Sequence, residues 1–312
     1  MSISAEPVPA DVPCDRDVQT IAVLLTCFNR RETTLRCLRA LAEQTVPAGH
    51  ELRIYLTDDG STDGTGDAVR NEFPAATVLQ GDGNLYWCGG TRLAWDAACP
   101  SDYYLWLNDD VELQPGAIET LVQVQRDSGD PRTIVVGATR DPDTKATVTG
   151  GMRRQSWHNV RVISPAGLPQ MCDSINGNIV LVPHAADEII GGLDPAYTHF
   201  FADGDYGLRA RKAGLPVLLA PQHLGECKLN PVANTSFDAN LSFRRRWQKL
   251  LGPKGYRPPR QWWAFVRAHA PRPKVLYWAT PYALFLVESL FGGRVRLRRH
   301  VRRPNDAFVP KN

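Results

Sequence analysis

Three acidic clusters, each beside an apolar run, hold the chemistry that can be read from this chain. Leu52–Tyr55 leads into Thr57-Asp58-Asp59-Gly60-Ser61, and Tyr103–Leu107 leads into Asn108-Asp109-Asp110. Phe201-Ala202-Asp203-Gly204-Asp205 precedes the helix-like stretch Leu208–Lys212. Carboxylates at successive strand ends converge on one rim of a sheet. Such a rim can hold a divalent metal and a diphosphate and leave a further carboxylate as a base. On residue types alone, quieter roles compete. The Asp-Asp-Gly-Ser segment also reads as an Asx turn, Asn108-Asp109-Asp110 as a cap before Pro115, and Asp203 and Asp205 as first-turn helix charges.

The elements that must position these groups follow from hydrophobic patterning. Residues 19–26 contain the continuous apolar run Ile21–Leu25 and read as a buried strand. A helix follows over 30–44, with Leu35, Leu38, Leu41 and Ala42 on one face. Strands are expected at 51–57, 76–79, 103–107, 133–138, 177–182 and 215–220, and helices at 64–72, 91–98, 115–125, 185–190 and 203–213. Gly81–Gly90 reads as a glycine-bearing loop, and 140–169 as loops with a short hairpin. The opening β-α-β-α-β order implies a parallel sheet with right-handed crossovers. The expected fold class is therefore α/β, a Rossmann-like, mostly parallel sheet flanked by helices.

The 312 residues can hold one large α/β domain plus an extension. A net charge of +3 hides an asymmetry: from Arg244 onward there are 17 Lys and Arg against two acids, leaving 19 basic and 31 acidic residues in 1–243. The expected division is a flexible leader over 1–17, a catalytic domain over 18–230, and a basic, aromatic-rich helical extension over 231–312. The leader has prolines and aspartates but no apolar core, unlike a signal peptide. Seven cysteines without a C-x-x-C pair argue against a disulfide framework and for a reducing, cytoplasmic setting.

In this order and spacing the motifs resemble those of the family 2 glycosyltransferases with a GT-A fold, in particular their bacterial rhamnosyltransferase-like branch. The resemblance runs from about Thr20 to Leu229. Thr26-Cys27-Phe28-Asn29-Arg30 is similar to the family's first-strand segment, which implies that Thr26 and Phe28 face the nucleotide base, with Asn29 and Arg30 beside it. Asp58-Asp59-Gly60-Ser61 resembles the second-strand motif. It implies that Asp59, or else Asp58, accepts a charge-assisted bond from a uracil or thymine N–H. Asn84 through Gly90 resembles the glycine loop, implying nucleotide contacts from Asn84, Gly89, Gly90 and Arg92. Asn108-Asp109-Asp110 stands where the family has Asp-x-Asp. Asp110 would ligate Mg2+ or Mn2+, and Asn108 and Asp109 would lie near the sugar or ribose. Phe201 through Arg209 resembles the segment carrying the catalytic base, with Ala202 in place of the usual Glu. Asp203 would be the base, and Asp205 would orient the site. His223 is the candidate metal histidine and His199 the second choice.

The implied reaction is a single inverting displacement. It moves a sugar from a UDP- or dTDP-linked donor such as dTDP-rhamnose to a hydroxyl of a glycan or lipid-linked saccharide, in bacterial surface polysaccharide synthesis. The alternative is a non-catalytic, nucleotide-sugar-binding or scaffold module. A nucleotidyltransferase is disfavoured because 26–31 lacks glycine. The apolar stretch 275–291, flanked by Arg294–Arg303, suits either the inner face of a membrane or packing on protein, including a homodimer. No nucleic-acid-binding motif is recognised.

Overall fold

The computed structural model describes residues 18–157, 159–229 and 232–290. The expected leader over 1–17 and the arginine flank over 294–303 lie outside the described residues.

Gln19–Cys27 (β1) is an interior strand, and its apolar run is buried on both faces. Arg31–Ala42 (α1), His50–Asp58 (β2), Thr65–Glu72 (α2), Thr77–Gln80 (β3), Tyr86–Ala98 (α3) and Tyr103–Leu107 (β4) follow. Ile21, Val23 and Leu25 pack to one side with Leu35, Leu38 and Leu41 of α1. Ala22 and Leu24 pack to the other with Trp95 of α3. A strand buried on both faces needs such a continuous apolar run.

The chain continues through Glu112–Leu113 (β5), Ala117–Asp127 (α4), Ile134–Arg140 (β6), Thr147–Thr149 (β7), Gly151–Ser156 (β8), Asn159–Val162 (β9), Gln170–Met171 (β10) and Ser174–Ile175 (β11). Ile179–Pro183 (β12), His184–Ile190 (α5), Ala202–Lys212 (α6) and Val217–Glu226 (β13) complete the α/β part. The large sheet runs β10-β13-β6-β12-β4-β1-β2-β3, with β5 beside β13 and β7 beside β6. A small second sheet is ordered β11-β8-β9. Strands β3, β2, β1, β4, β6 and β13 share one direction, and β12 runs against both of its neighbours.

That registry builds the rim. Cys27 pairs with Asp58, so β1 and β2 end level. Leu24 pairs with Trp106, and the same register carries Asp109 level with Cys27. Because β12 is antiparallel, with Ile179 opposite Leu107, its entry rather than its exit lies at this edge. Asn176, Gly177 and Asn178 therefore join the strand ends of β1, β2 and β4.

Three further helices follow: Phe243–Leu251 (α7), Pro259–His269 (α8) and Lys274–Leu290 (α9). The basic extension is helical over its described residues. Trp262 and Phe265 of α8 pack on Phe201 at the mouth of α6. His269 reaches Asp205 at 2.7 Å. The extension thus docks beside the rim.

Candidate active site

A cleft of about 1370 Å³ opens along the rim. Thr26, Phe28, Arg30, Asp59, Asn108, Asp109, Asp110, His199 and Asp203 all line it. Asp59, Asp110 and Asp203 are far apart in the chain, and the sheet brings them to one wall system.

At the end of β4 the acidic pair is already cross-linked. Arg30 Nη1 lies 3.1 Å from Asp109 Oδ1 and 3.0 Å from Asp110 Oδ2. Asp109 is buried and also accepts the Thr34 hydroxyl at 3.3 Å. Burial pushes its carboxyl up to about 6, against the pull of Arg30 and with the push of Asp110. The side chain of Asp110 is 23% exposed, which makes it the reachable carboxylate of the pair. Its Oδ1 is 3.8 Å from Cys227 Sγ. Burial, reinforced by Asp110, pushes that thiol up to about 12.

Among the described residues, no three His, Cys, Asp or Glu side chains gather into a set able to hold a metal unaided. One exposed and one buried carboxylate suit a hard cation that binds one or two carboxylates and fills its shell with phosphate oxygens and water. The residues fit a divalent ion that arrives with a diphosphate, held chiefly by Asp110. His223 does not contribute. β13 continues to Glu226 instead of ending near Ala220, so His223 sits within the strand opposite Ala138. Its Nε2 is 2.9 Å from the Thr147 hydroxyl, away from the cleft.

Asp203 lies in the first turn of α6, after Phe201 at φ 76°. Its Oδ2 accepts the Gly177 N–H at 3.0 Å and its Oδ1 the Gly204 N–H at 2.7 Å. Burial raises its carboxyl above the usual range despite these two donors. Gly177 has to be glycine, because a Cβ there would meet Trp87 at 2.7 Å and Asp203 Cβ at 3.2 Å. Trp87 thus lies close to Asp203. Its indole N–H donates to Asn108 Oδ1 at 2.7 Å, and the Asn108 amide donates to Asn178 Oδ1 at 2.9 Å. Asn108 therefore ties Trp87 to Asn178 and fixes this wall of the cleft. Asn176 Oδ1 is buried without a partner at this wall.

Asp59 also has a structural duty. Its Oδ1 accepts the N–H groups of Gly83 and Leu85 at 2.9 and 3.2 Å, and its Oδ2 that of Tyr86 at 2.8 Å. This carboxylate anchors the loop before α3 and caps that helix, leaving little acceptor capacity for a base N–H.

A scan against family models matches glycosyl transferase family 2 over residues 22–176. A curated relative, the N-acetylglucosaminyl-diphospho-decaprenol L-rhamnosyltransferase of Mycobacterium tuberculosis (strains CDC 1551 / Oshkosh and ATCC 25618 / H37Rv), is 29% identical over 207 residues. This chain belongs to glycosyl transferase family 2, in its rhamnosyltransferase-like branch. The match covers 56% of this chain and 66% of the relative. Among solved structures, GalNAc-T7 with UDP, GalNAc and Mn2+ superposes with a TM-score of 0.57 at 13% identity, covering 89% of this chain and 57% of that one. The mannosyltransferase PcManGT of Pyrobaculum calidifontis, with GDP-Man and Mn2+, gives 0.50 at 18% identity, covering 91% and 87%. These likenesses establish the GT-A fold.

Several residues expected at a family 2 donor site lie elsewhere. Asp58 turns from the cleft and accepts the Ser61 N–H at 2.9 Å. Asn29, at φ 51°, bonds the Ser61 hydroxyl and the Thr62 N–H at 2.9 and 2.7 Å and so ties two turns together. Asn84 is exposed and bonds Asp82, and Arg92 does not line the cleft. Gly89 and Gly90 are not in a loop, because α3 begins at Tyr86. The Gly89 N–H already donates to Leu85 at 3.0 Å. Gly90 is a packing residue: a Cβ there would run into Thr26, and its carbonyl accepts the Thr57 hydroxyl at 2.8 Å. Asp205 is 1% exposed, with Arg209 Nε and His269 Nε2 each at 2.7 Å and the Tyr197 hydroxyl at 3.3 Å. It clamps α8 to α6 and is shut off from substrate. Tyr86 and Trp87, inside the Asn84–Gly90 motif but not singled out in it, also line the cleft, as do Asn176 and Lys254, which belong to no motif.

Proposed function

We propose that the chain is an inverting glycosyltransferase that takes a sugar from a nucleoside-diphosphate donor, dTDP-rhamnose or a UDP-hexose, to a hydroxyl of a glycan or lipid-linked saccharide. The rhamnosyltransferase relative supports rhamnose as the transferred sugar and a decaprenyl-diphosphate-linked saccharide as the acceptor. The observation that carries the reading is the meeting of a half-buried, oriented carboxylate, Asp203, with the Asp109–Asp110–Arg30 cluster in one cleft.

In the reaction, the acceptor hydroxyl gives its proton to Asp203 as its oxygen bonds the anomeric carbon. The bond from that carbon to the diphosphate oxygen breaks, and its electron pair departs with the nucleoside diphosphate. Asp110 would hold a divalent ion, which would supply charge neutralisation for the departing diphosphate. The chain's own work is to hold Asp203 by two backbone N–H groups, to place Trp87 beside it, and to set Arg30 against the acidic pair.

The extension adds a docking role. No helix among the described residues is long and apolar enough to cross a membrane. α9 exposes Val275, Leu276, Leu286 and Val287, with Arg272 and Lys274 at its start. That arrangement suits a peripheral contact with the inner leaflet, where a lipid-linked acceptor would be presented. Pelleting with anionic vesicles, compared with and without residues 231–312, tests it; equal pelleting of the two proteins removes the idea.

The enzymatic reading is tested by thermal shift with UDP, dTDP and GDP, each with Mg2+ or Mn2+, followed by product release from the labelled donor. One diphosphate should stabilise the protein, and its sugar conjugate should turn over. Stabilisation by none of the three, with no release, ends the proposal.

A further inference from the structure

The turn Gly252-Pro253-Lys254-Gly255 joins α7 to the segment before α8 and is held from several sides. The Gly252 N–H caps α7 on Gln248 at 3.0 Å, the Gly255 N–H returns to Gly252 at 2.7 Å, and the Arg257 N–H reaches Leu250 at 3.1 Å. The Thr198 hydroxyl approaches the Pro253 carbonyl at 3.5 Å. Gly255 has no room for a side chain, since a Cβ would strike three carbonyl oxygens, among them Gly252 O at 2.7 Å. This clamped turn delivers one charged side chain, the exposed Lys254, into the cleft.

The Lys254 ammonium stands 5.6 Å from the Phe28 ring centroid and 5.2 Å from that of Tyr86. Among the described residues it faces two aromatic rings and no carboxylate. Exposed cation–π contacts of this kind are weak. His199 lines the same cleft, and its Nδ1 is closed off from solvent without a hydrogen-bond partner.

We propose that Lys254, carried by the C-terminal extension, is a donor-binding residue that pairs with the diphosphate of the nucleotide sugar, with His199 as a neutral hydrogen-bonding partner beside it. This rests on the glycosyl-transfer reading above. Charge balance supports it. Arg30 offsets one of the two negative charges of Asp109 and Asp110, and a divalent ion offsets the other and one ionised phosphate. A second phosphate then needs one more cation; Lys228, Arg245, Lys249 and Lys254 all line the cleft, and Lys254 is the one set beside the Phe28 and Tyr86 rings. His199 is suited to its part because burial first, then Lys254 and Arg30, hold its pKa down to about 4.

The experiment compares nucleoside diphosphate with nucleoside. Dissociation constants are measured by calorimetry on the full chain with Mg2+, for UDP, dTDP and GDP and for uridine, thymidine and guanosine. Lys254→Ala should weaken the bound diphosphate about tenfold or more, the loss of one charge-assisted bond. It should leave the matching nucleoside within twofold, and Lys254→Arg should restore most of the diphosphate affinity. Folding is not at risk, because the side chain is exposed. A Lys254→Ala protein that binds the diphosphate within twofold of wild type overturns the inference. So does an equal loss for nucleoside and diphosphate, which would assign Lys254 to the base. If the wild-type protein binds none of the three diphosphates, the transferase reading fails, and this inference with it.

Discussion

Asp203→Asn separates catalysis from architecture at a single atom. The two oxygens of Asp203 each accept one backbone N–H, from Gly177 at 3.0 Å and Gly204 at 2.7 Å. An amide offers one acceptor, so one of those N–H groups loses its partner, at about 1–3 kcal/mol. The substitution also removes a carboxylate whose ionised form burial disfavours, which offsets part of that cost. The net change in stability should stay below about 2 kcal/mol, a melting shift of a few degrees for a chain of this size. The chemical effect is larger. Loss of a positioned general base slows turnover by about 10²–10⁴-fold, or roughly 3–5 kcal/mol of activation free energy. Initial rates at saturating donor, a nucleotide titration and a thermal melt together test this. The expected pattern is a collapse in kcat with nucleotide affinity unchanged and the melt nearly so. A kcat within tenfold of wild type would show that the acceptor proton leaves by another route.

Three further outcomes follow from the geometry. His269→Ala should cost about 2–4 kcal/mol, since it strips one partner from the buried Asp205 and loosens α8; denaturant melts would show it, and a wild-type midpoint would rule out the clamp. Gly90→Ala should lower stability by about 1–3 kcal/mol by driving a Cβ into Thr26, and should weaken nucleotide binding because Thr26 lines the cleft; retained affinity would place the nucleotide elsewhere. The acid limb of kcat/KM should lie above the ordinary carboxylate range near 4, because burial raises Asp203 and the base must be ionised. The linked stability has a definite sign. Asp109, raised to about 6, contributes stability below its unfolded value that fades as pH rises through about 6. Burial pushes Asp205 up, but bonds from His269 and Arg209 outweigh it and hold the group low, so its contribution is lost only as pH falls into the acid range. An acid limb at the usual carboxylate value would take Asp203 out of the base role.

Much of the scaffold was legible because it rests on local signals. The run Ile21–Leu25 is β1, the Leu35–Leu38–Leu41 face is buried on it, and the acidic clusters end β2 and β4 where apolar patterning stops. Boundaries drifted where tertiary contacts override local preference. α3 starts five residues early, at Tyr86, because the Asp59 carboxylate caps it from another strand. β13 runs past Pro221 because it pairs with β6 and β5 on either side.

Sequence by itself determined which chemistry was available: carboxylates at strand ends, in an order shared with glycosyl transferase family 2. Only the tertiary structure decided which of them face the cleft. Asp58 and Asp59 are neighbours, yet one caps a turn and the other anchors a loop at the cleft wall. Asp203 and Asp205 lie two residues apart on one helix, so one faces the cleft and the other is turned to His269 and Arg209. Lys254 carried no motif, and only the clamped turn after α7 puts its charge beside Phe28 and Tyr86. The physical reason is the same in each case. Residue type sets what a group can do, but its exposure, its partners and its local charge come from segments remote in the chain, and those are set only when the sheet is assembled.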